Sequence, residues 1–154
     1  MVCVPKPNGK LRMCVDFKTT LNKHLKVDQH PIPTPDDIFN KFVGCNVFCR
    51  LDLSQAYLQL EVHESSKPLL VVNTIKGLYM YNRLPFGLAS ACAIFQSVIE
   101  SILSGVNQVA PYLDDILIGG KDLTECKQNL QEVLSRLEEY NVNLFILFYI
   151  KQIY

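Results

Sequence analysis

Two adjacent aspartates, Asp114 and Asp115, stand between short apolar runs at residues 109–113 and 116–118. Aspartate favours tight turns through local hydrogen bonds, so a solvated hairpin turn accounts for the pair taken alone. Asp52 shifts that weighing. It closes an apolar segment, residues 47–53, where an unpaired charge is costly; a carboxylate kept in such a place is usually paired or coordinates a cation. If that segment lies beside the Asp114-Asp115 hairpin, the three carboxylates meet at one edge of a sheet. Such a cluster repels itself unless divalent cations neutralise it, and hard oxygen donors suit Mg²⁺. Two such ions, about 3.5–4 Å apart, are a recurring device for in-line phosphoryl transfer. The protein then contributes mainly positioning and charge compensation. Lys6, Lys10 and Arg12 flank a Pro7-Asn8-Gly9 turn and form a natural counterpart, since cationic side chains grip triphosphate oxygens. Without the carboxylates, this cluster would read as a solvated charged turn.

These residues need elements to position them. Residues 2–4 and 11–17 read as a hairpin around the Pro7-Asn8-Gly9 turn. Residues 21–35 are irregular, with three prolines. A first helix is signalled by Thr34 as N-cap, Pro35 at the first helical position and Asp36 and Asp37 at its positive end. Ile38, Phe39 and Phe42 make its apolar stripe, and Gly44 suits its stop. Residues 47–53 follow as an apolar segment interrupted by Arg50 and Asp52. Leu58, Leu60 and Val62 alternate with Gln59, Glu61 and His63, the pattern of a half-buried strand. Residues 69–72 and 78–81 flank Lys76-Gly77 as a second hairpin. A second helix is expected over residues 90–103, with Ile94, Phe95, Val98, Ile99, Ile102 and Leu103 as its apolar face. Residues 109–113 and 116–118 form a hairpin turning at the aspartates. A third helix starts at Asp122 and Glu125, in capping-box spacing, and carries Cys126, Leu130, Val133, Leu137 and Tyr140 as a stripe. The class is α+β, helices packed on an antiparallel sheet. From Leu144 onward the chain is apolar, carries a single charge and lacks a periodic pattern. It reads either as a buried strand or as sequence that never evolved to fold with the rest.

Composition bounds the function. A chain of 154 residues suits one domain burying roughly 68–70% of its unfolded surface. Lysine and arginine total 15, as do aspartate and glutamate, and this neutrality counts against strong autonomous nucleic-acid binding. A locally basic groove remains compatible with it. Six cysteines are scattered through apolar stretches and no secretory signal opens the chain, so reduced thiols in an intracellular protein, cytoplasmic or nuclear, are expected. Cys45 and Cys49 lack a second Cys/His pair at ligand spacing, so no zinc site is expected. The longest apolar run, residues 144–150, falls short of the roughly 18–20 residues that span a bilayer, so no membrane partner is expected.

Five blocks, in order, resemble the reverse transcriptases of retroviruses and gypsy-type long-terminal-repeat retrotransposons. They are Lys10-Leu11-Arg12-Met13-Cys14-Val15-Asp16-Phe17; Arg50-Leu51-Asp52-Leu53-Ser54-Gln55-Ala56-Tyr57; Tyr81-Asn82-Arg83-Leu84-Pro85-Phe86-Gly87-Leu88; Phe95-Gln96; and Tyr112-Leu113-Asp114-Asp115-Ile116-Leu117-Ile118. The resemblance implies a palm (an antiparallel sheet with helices packed on it) and a partial fingers hairpin, without a thumb. It implies RNA-directed DNA polymerase chemistry on deoxynucleoside triphosphates, with a primer on an RNA or DNA template. Asp52, Asp114 and Asp115 match the catalytic metal ligands, with the Leu53 carbonyl beside them, for two Mg²⁺ ions or Mn²⁺ in their place. Tyr57 matches the aromatic residue under the incoming sugar, and Arg12 the fingers arginine at the triphosphate, with Lys10 or Lys6 as companion. Phe86 and Gly87 match the segment lining the nucleotide pocket, and Tyr112 the residue near the primer end. His24, His30 and His63 match nothing catalytic and are expected on the surface or in turns.

Departures from the pattern set limits. The segment Lys18-Thr19-Thr20-Leu21-Asn22 is one residue longer than the commonest family spacing, and Cys92 stands where the family usually has proline after Ser-Ala. Residues 1–143 are read as partial fingers and palm, with the thumb, connection, ribonuclease H and integrase parts of a Pol polyprotein outside the chain. Residues 144–154 replace the family's polar continuation and read as a divergent tail, with a frameshift, premature stop or read-through as its origin. Three readings follow: a polymerase fragment, an inactive remnant that at most binds nucleic acid or a partner, and a metal-dependent nuclease. The last is disfavoured, because Tyr57 and the basic cluster suit a triphosphate better than a phosphodiester and water.

Overall fold

The structure, a computed structural model, describes all residues except 1, 6–8, 10, 28, 29, 54, 153 and 154, and only the backbone of 2–5, 11–14 and 145–152. Its strands are β1 (Val2–Pro5), β2 (Leu11–Cys14), β3 (Val47–Leu53), β4 (Val71–Thr74), β5 (Gly77–Met80), β6 (Val109–Tyr112), β7 (Asp115–Gly120) and β8 (Leu144–Gln152). Its α-helices are α1 (Pro35–Lys41), α2 (Ala91–Ile102) and α3 (Leu123–Glu139). The chain divides into two compact units: Met1–Gln29 with Tyr57–Cys92, and His30–Ala56 with Ala93–Tyr154.

The second unit holds a four-stranded antiparallel sheet in the order β6-β7-β3-β8. Alternation along β3 buries Val47, Cys49, Leu51 and Leu53 and leaves Phe48, Arg50 and Asp52 on the opposite face. Along β7, Ile116 and Ile118 are fully buried. The helix α3 packs on β7 and β3 with Cys126, Val133 and Leu137 inward, and a Cβ on Gly120 would strike the Cys126 backbone at 2.4 Å. On the other face, Ile38 and Phe42 of the α1 segment cluster with Ala110, against which Phe48, Tyr112 and Leu117 pack. Thus α3 and α1 cover opposite faces, and the row containing Asp52 lies on the α1 face.

Helix starts follow the sequence. The Thr34 hydroxyl accepts the Asp37 N–H at 3.3 Å while the Asp37 carboxylate accepts the Thr34 N–H at 2.9 Å, a complete capping box. Asp122 accepts the Glu125 N–H at 2.9 Å, and Glu125 reaches back to the Lys121 N–H at 2.7 Å. The stripes are narrower than expected, since Phe39 and Tyr140 stand exposed at 70% and 60%.

The first unit carries two two-stranded hairpins, β1-β2 and β4-β5. The strand expected over residues 58–63 is absent. Ala56–Gln59 and Glu64–Leu70 are 3₁₀ helices, and the bridge Glu61↔Arg83 lies between them. The backbone pairs there through Val62 N–H on the Asn82 carbonyl and Leu84 N–H on the Leu60 carbonyl, at 3.0 and 2.9 Å. Burial alternates only over residues 60–63, since Leu58, Gln59 and Leu60 are all partly buried, and too few ladder bonds form to make a strand. The 3₁₀ turn also absorbs Leu69 and Leu70, so the second hairpin begins at Val71.

Residues 144–152 form β8, which runs antiparallel along β3 from Leu53↔Leu144 to Val47↔Gln152. Between Asp52↔Phe145 and Arg50↔Tyr149 the register shifts, so four residues of β8 pass two of β3 beside Asp52.

Candidate active site at the aspartate turn

Tyr112 and Asp115 are paired across β6 and β7, leaving Leu113 and Asp114 as the connection. In a connection this short the first residue often needs positive φ, where glycine is favoured. Leu113 takes that position with φ 54°, at a conformational cost on the order of 1 kcal/mol. Its neighbours hold it there. The Leu113 N–H donates to Gln96 Oε1 at 3.0 Å, and Gln96 Nε2 donates to the Pro111 carbonyl at 2.8 Å. On the other side of the turn, the Leu53 N–H donates to the Asp114 carbonyl at 2.8 Å.

The next ladder pair is Asp52↔Asp115. Residues directly opposite in an antiparallel ladder share a face. Tyr112, Asp115 and Asp52 therefore form one row across β6, β7 and β3, with Asp114 exposed beside it. Arg50, diagonal to Asp115, places its Nε 3.3 Å from the carboxylate. Partial burial raises the Asp115 pKa and the Asp52 charge raises it further, while Arg50 opposes both. Among the described residues, no three His, Cys, Asp or Glu side chains stand close enough to hold a metal ion together. The backbone register thus brings the three aspartates to one end of the sheet, but their side chains do not close into a cluster. The donor set still suits a hard divalent cation: carboxylates only, with one of them strained towards its neutral form by burial and a like charge.

Gln96 is a residue the sequence reading placed in a matching block without a role. It is the one buried polar side chain among the described residues, 1% exposed and directly after the apolar run Ala93-Ile94-Phe95 of α2. A carboxamide amid apolar positions was the available signal; its partners across the fold were not legible.

The nucleotide residues expected from the resemblance fall in the first unit where they are described. Tyr57 and Phe86 pack ring against ring, centroids 5.0 Å apart, and the Tyr57 hydroxyl lies 2.8 Å from the Cys92 sulfur. Gly87 has φ 93°, and a Cβ there would meet the Val15 carbonyl oxygen at 2.6 Å, so only glycine fits. Asn22 donates to the Gly87 carbonyl at 2.9 Å and accepts the Ala89 N–H at 3.0 Å, clasping this loop; sequence reasoning gave Asn22 no role. Lys6 and Lys10 lie outside the described residues, and of Arg12 only the backbone, paired with Val4 in β2, is described. His63 caps a 3₁₀ helix at an exposed site, and His30, in an irregular segment, is partly exposed and paired with Glu100. Cys45, Cys49, Cys92 and Cys126 are free thiols, and burial raises the pKa of Cys45, Cys49 and Cys126. No described helix is long and apolar enough to cross a membrane.

The profile of the reverse transcriptase (RNA-dependent DNA polymerase) family matches residues 4–145, and the chain belongs to that family. It is 42% identical over 141 residues to an uncharacterised protein, K02A2.6, of Caenorhabditis elegans, spanning 91% of this chain and 11% of that protein. It is 37% identical over 145 residues to the transposon Tf2-3 polyprotein of Schizosaccharomyces pombe, spanning 93% of this chain and 11% of the polyprotein. The chain thus spans about a tenth of these relatives. The prototype foamy virus protease–reverse transcriptase superposes with a TM-score of 0.79 at 26% identity, over 89% of this chain and 18% of that one. A foamy viral protease–reverse transcriptase solved with double-stranded DNA shares the fold, with a TM-score of 0.83 at 23% identity over 92% and 25% of the two chains. The α+β palm-and-fingers architecture and the retroelement Pol ancestry expected from the motifs agree with these likenesses.

Proposed function

We propose that this chain carries the nucleotidyl-transfer centre of an RNA-directed DNA polymerase and joins deoxynucleotides to a primer 3′-hydroxyl. The observation that carries the reading is the cross-strand pair Asp52↔Asp115 beside the Gln96-held turn that presents Asp114. Asp52, Asp114 and Asp115, with the Leu53 carbonyl, would hold divalent cations. When bound, Mg²⁺ supplies Lewis-acid activation of the attacking hydroxyl and charge neutralisation at the phosphates. The chain's own part is to hold carboxylates at fixed places on rigid strands, with Arg50 balancing the Asp115 charge in the absence of cation. Tyr57, packed at a tilt against Phe86 and tied to Cys92, would be the surface for the incoming sugar, with the Gly87 loop, drawn close to the Val15 carbonyl, as the neighbouring wall of the nucleotide pocket. Arg12 and Lys10 take the triphosphate, and Tyr112 the primer end.

Template choice follows from the kinship alone: foamy viral relatives have been solved with double-stranded DNA and with an RNA/DNA hybrid. With zero net charge, this chain by itself should hold a primer–template weakly. Residues 144–154 remain, in this reading, a tail of separate origin. The test is primer extension on an RNA template with Mg²⁺ and deoxynucleotides, at low salt. Asp114→Asn should cut extension roughly 100-fold or more. Extension that survives that substitution sinks the assignment.

A further inference from the structure

Gln96 fixes the aspartate turn, and the structure shows what fixes Gln96. Its Nε2 has two hydrogens: one goes to the Pro111 carbonyl and the other to Glu100 Oε1, each at 2.8 Å. Glu100 lies one helical turn further along α2, and its other oxygen meets His30 Nε2 at 2.7 Å. An ionised carboxylate only accepts, so the His30 Nε2 must donate. The line therefore runs His30, Glu100, Gln96, and the backbone of Leu113, which holds φ 54° next to Asp114. Reversing the Gln96 carboxamide would set its oxygen against the Pro111 carbonyl and the Glu100 carboxylate, and its NH₂ against the Leu113 N–H. Glu100 and His30 side chains are 30% and 31% exposed, so the outer end of the line is half shielded from competing water.

We propose that Glu100 and His30 are a positioning pair for the aspartate turn, acting through Gln96 on the Leu113 backbone. Neither would touch substrate or metal. This rests on the metal-binding reading of the turn only for its functional consequence; the bracing itself is independent of it. The pair secures one amide orientation, and with it the backbone conformation that sets the direction of the Asp114 carboxylate.

Amide hydrogen exchange on the 154-residue chain, read by NMR, tests this. Glu100→Ala should speed exchange at the Leu113 N–H about tenfold, and His30→Ala several-fold, relative to the Ile118 N–H at the centre of the sheet. Glu100→Gln keeps an acceptor for Gln96 and should restore most of the protection. Leu113 exchange that is unchanged, or that rises only in step with Ile118, overturns the proposal. Mn²⁺ titration of the same proteins separates the two readings. Weaker binding in Glu100→Ala, by several-fold, with melting temperature held, extends the bracing to the metal site. Wild-type binding insensitive to Asp114→Asn overturns the metal reading, while the Leu113 exchange result still decides the brace.

Discussion

Asp115 shows how the charge of one residue weighs on the stability of the fold. Its folded pKa is raised, mainly by partial burial and also by Asp52, against the pull of Arg50. A carboxyl raised in the folded state favours folding most when protonated, below its unfolded pKa, and loses that contribution as pH climbs through the folded value. At neutral pH the ionised Asp115 therefore works against the fold. Asp115→Asn should raise the melting temperature by about 1–2 °C at pH 7, with the gain shrinking towards pH 4. Thermal melts across that range check it; a gain that grows on acidification would reverse the assigned sign. The motif alone marks Asp115 as a ligand candidate, but its charge environment depends on Arg50 two residues before Asp52, facing across to β7.

Among elements, the loop around Gly87 is the most tightly determined. Positive φ, the Val15 carbonyl at 2.6 Å from any added Cβ, and the Asn22 clasp all act on a few residues. Gly87→Ala should cost about 1–3 kcal/mol, read from denaturant midpoints. An unchanged midpoint would mean that the backbone of residues 15 and 87 yields readily. Helix starts were legible because caps are local: Thr34, Pro35 and Asp37 lie within four residues. The false strand over residues 58–63 was not, because an alternating apolar and polar sequence also occurs where a 3₁₀ turn meets a short run of ladder bonds.

At the scale of the whole molecule, β8 departs from what the family pattern leads one to expect. The family profile stops at residue 145, yet the sheet continues to Gln152. Strand pairing uses backbone groups, so a stretch rich in Phe, Ile and Tyr can occupy the edge of β3 whatever its ancestry. Truncation after Asn143 should strip that edge, lower the melting temperature by about 5 °C or more, and promote self-association. Calorimetry and size-exclusion chromatography would show it. An unaltered melt with a monomeric profile would mean that β8 adds nothing to the fold.

The sequence by itself determined the family, the α+β class, the helix starts and the motif in which Asp114 and Asp115 stand, because each depends on residue type and short-range spacing. It also showed Tyr112, Leu113, Asp114 and Asp115 as a turn. Only the tertiary structure decided that Asp52 faces Asp115, that Leu113 sits at φ 54°, and that Gln96 holds it from another element. Those facts follow from strand register and helix placement, which join residues 17 to 63 positions apart and leave no mark in local spacing.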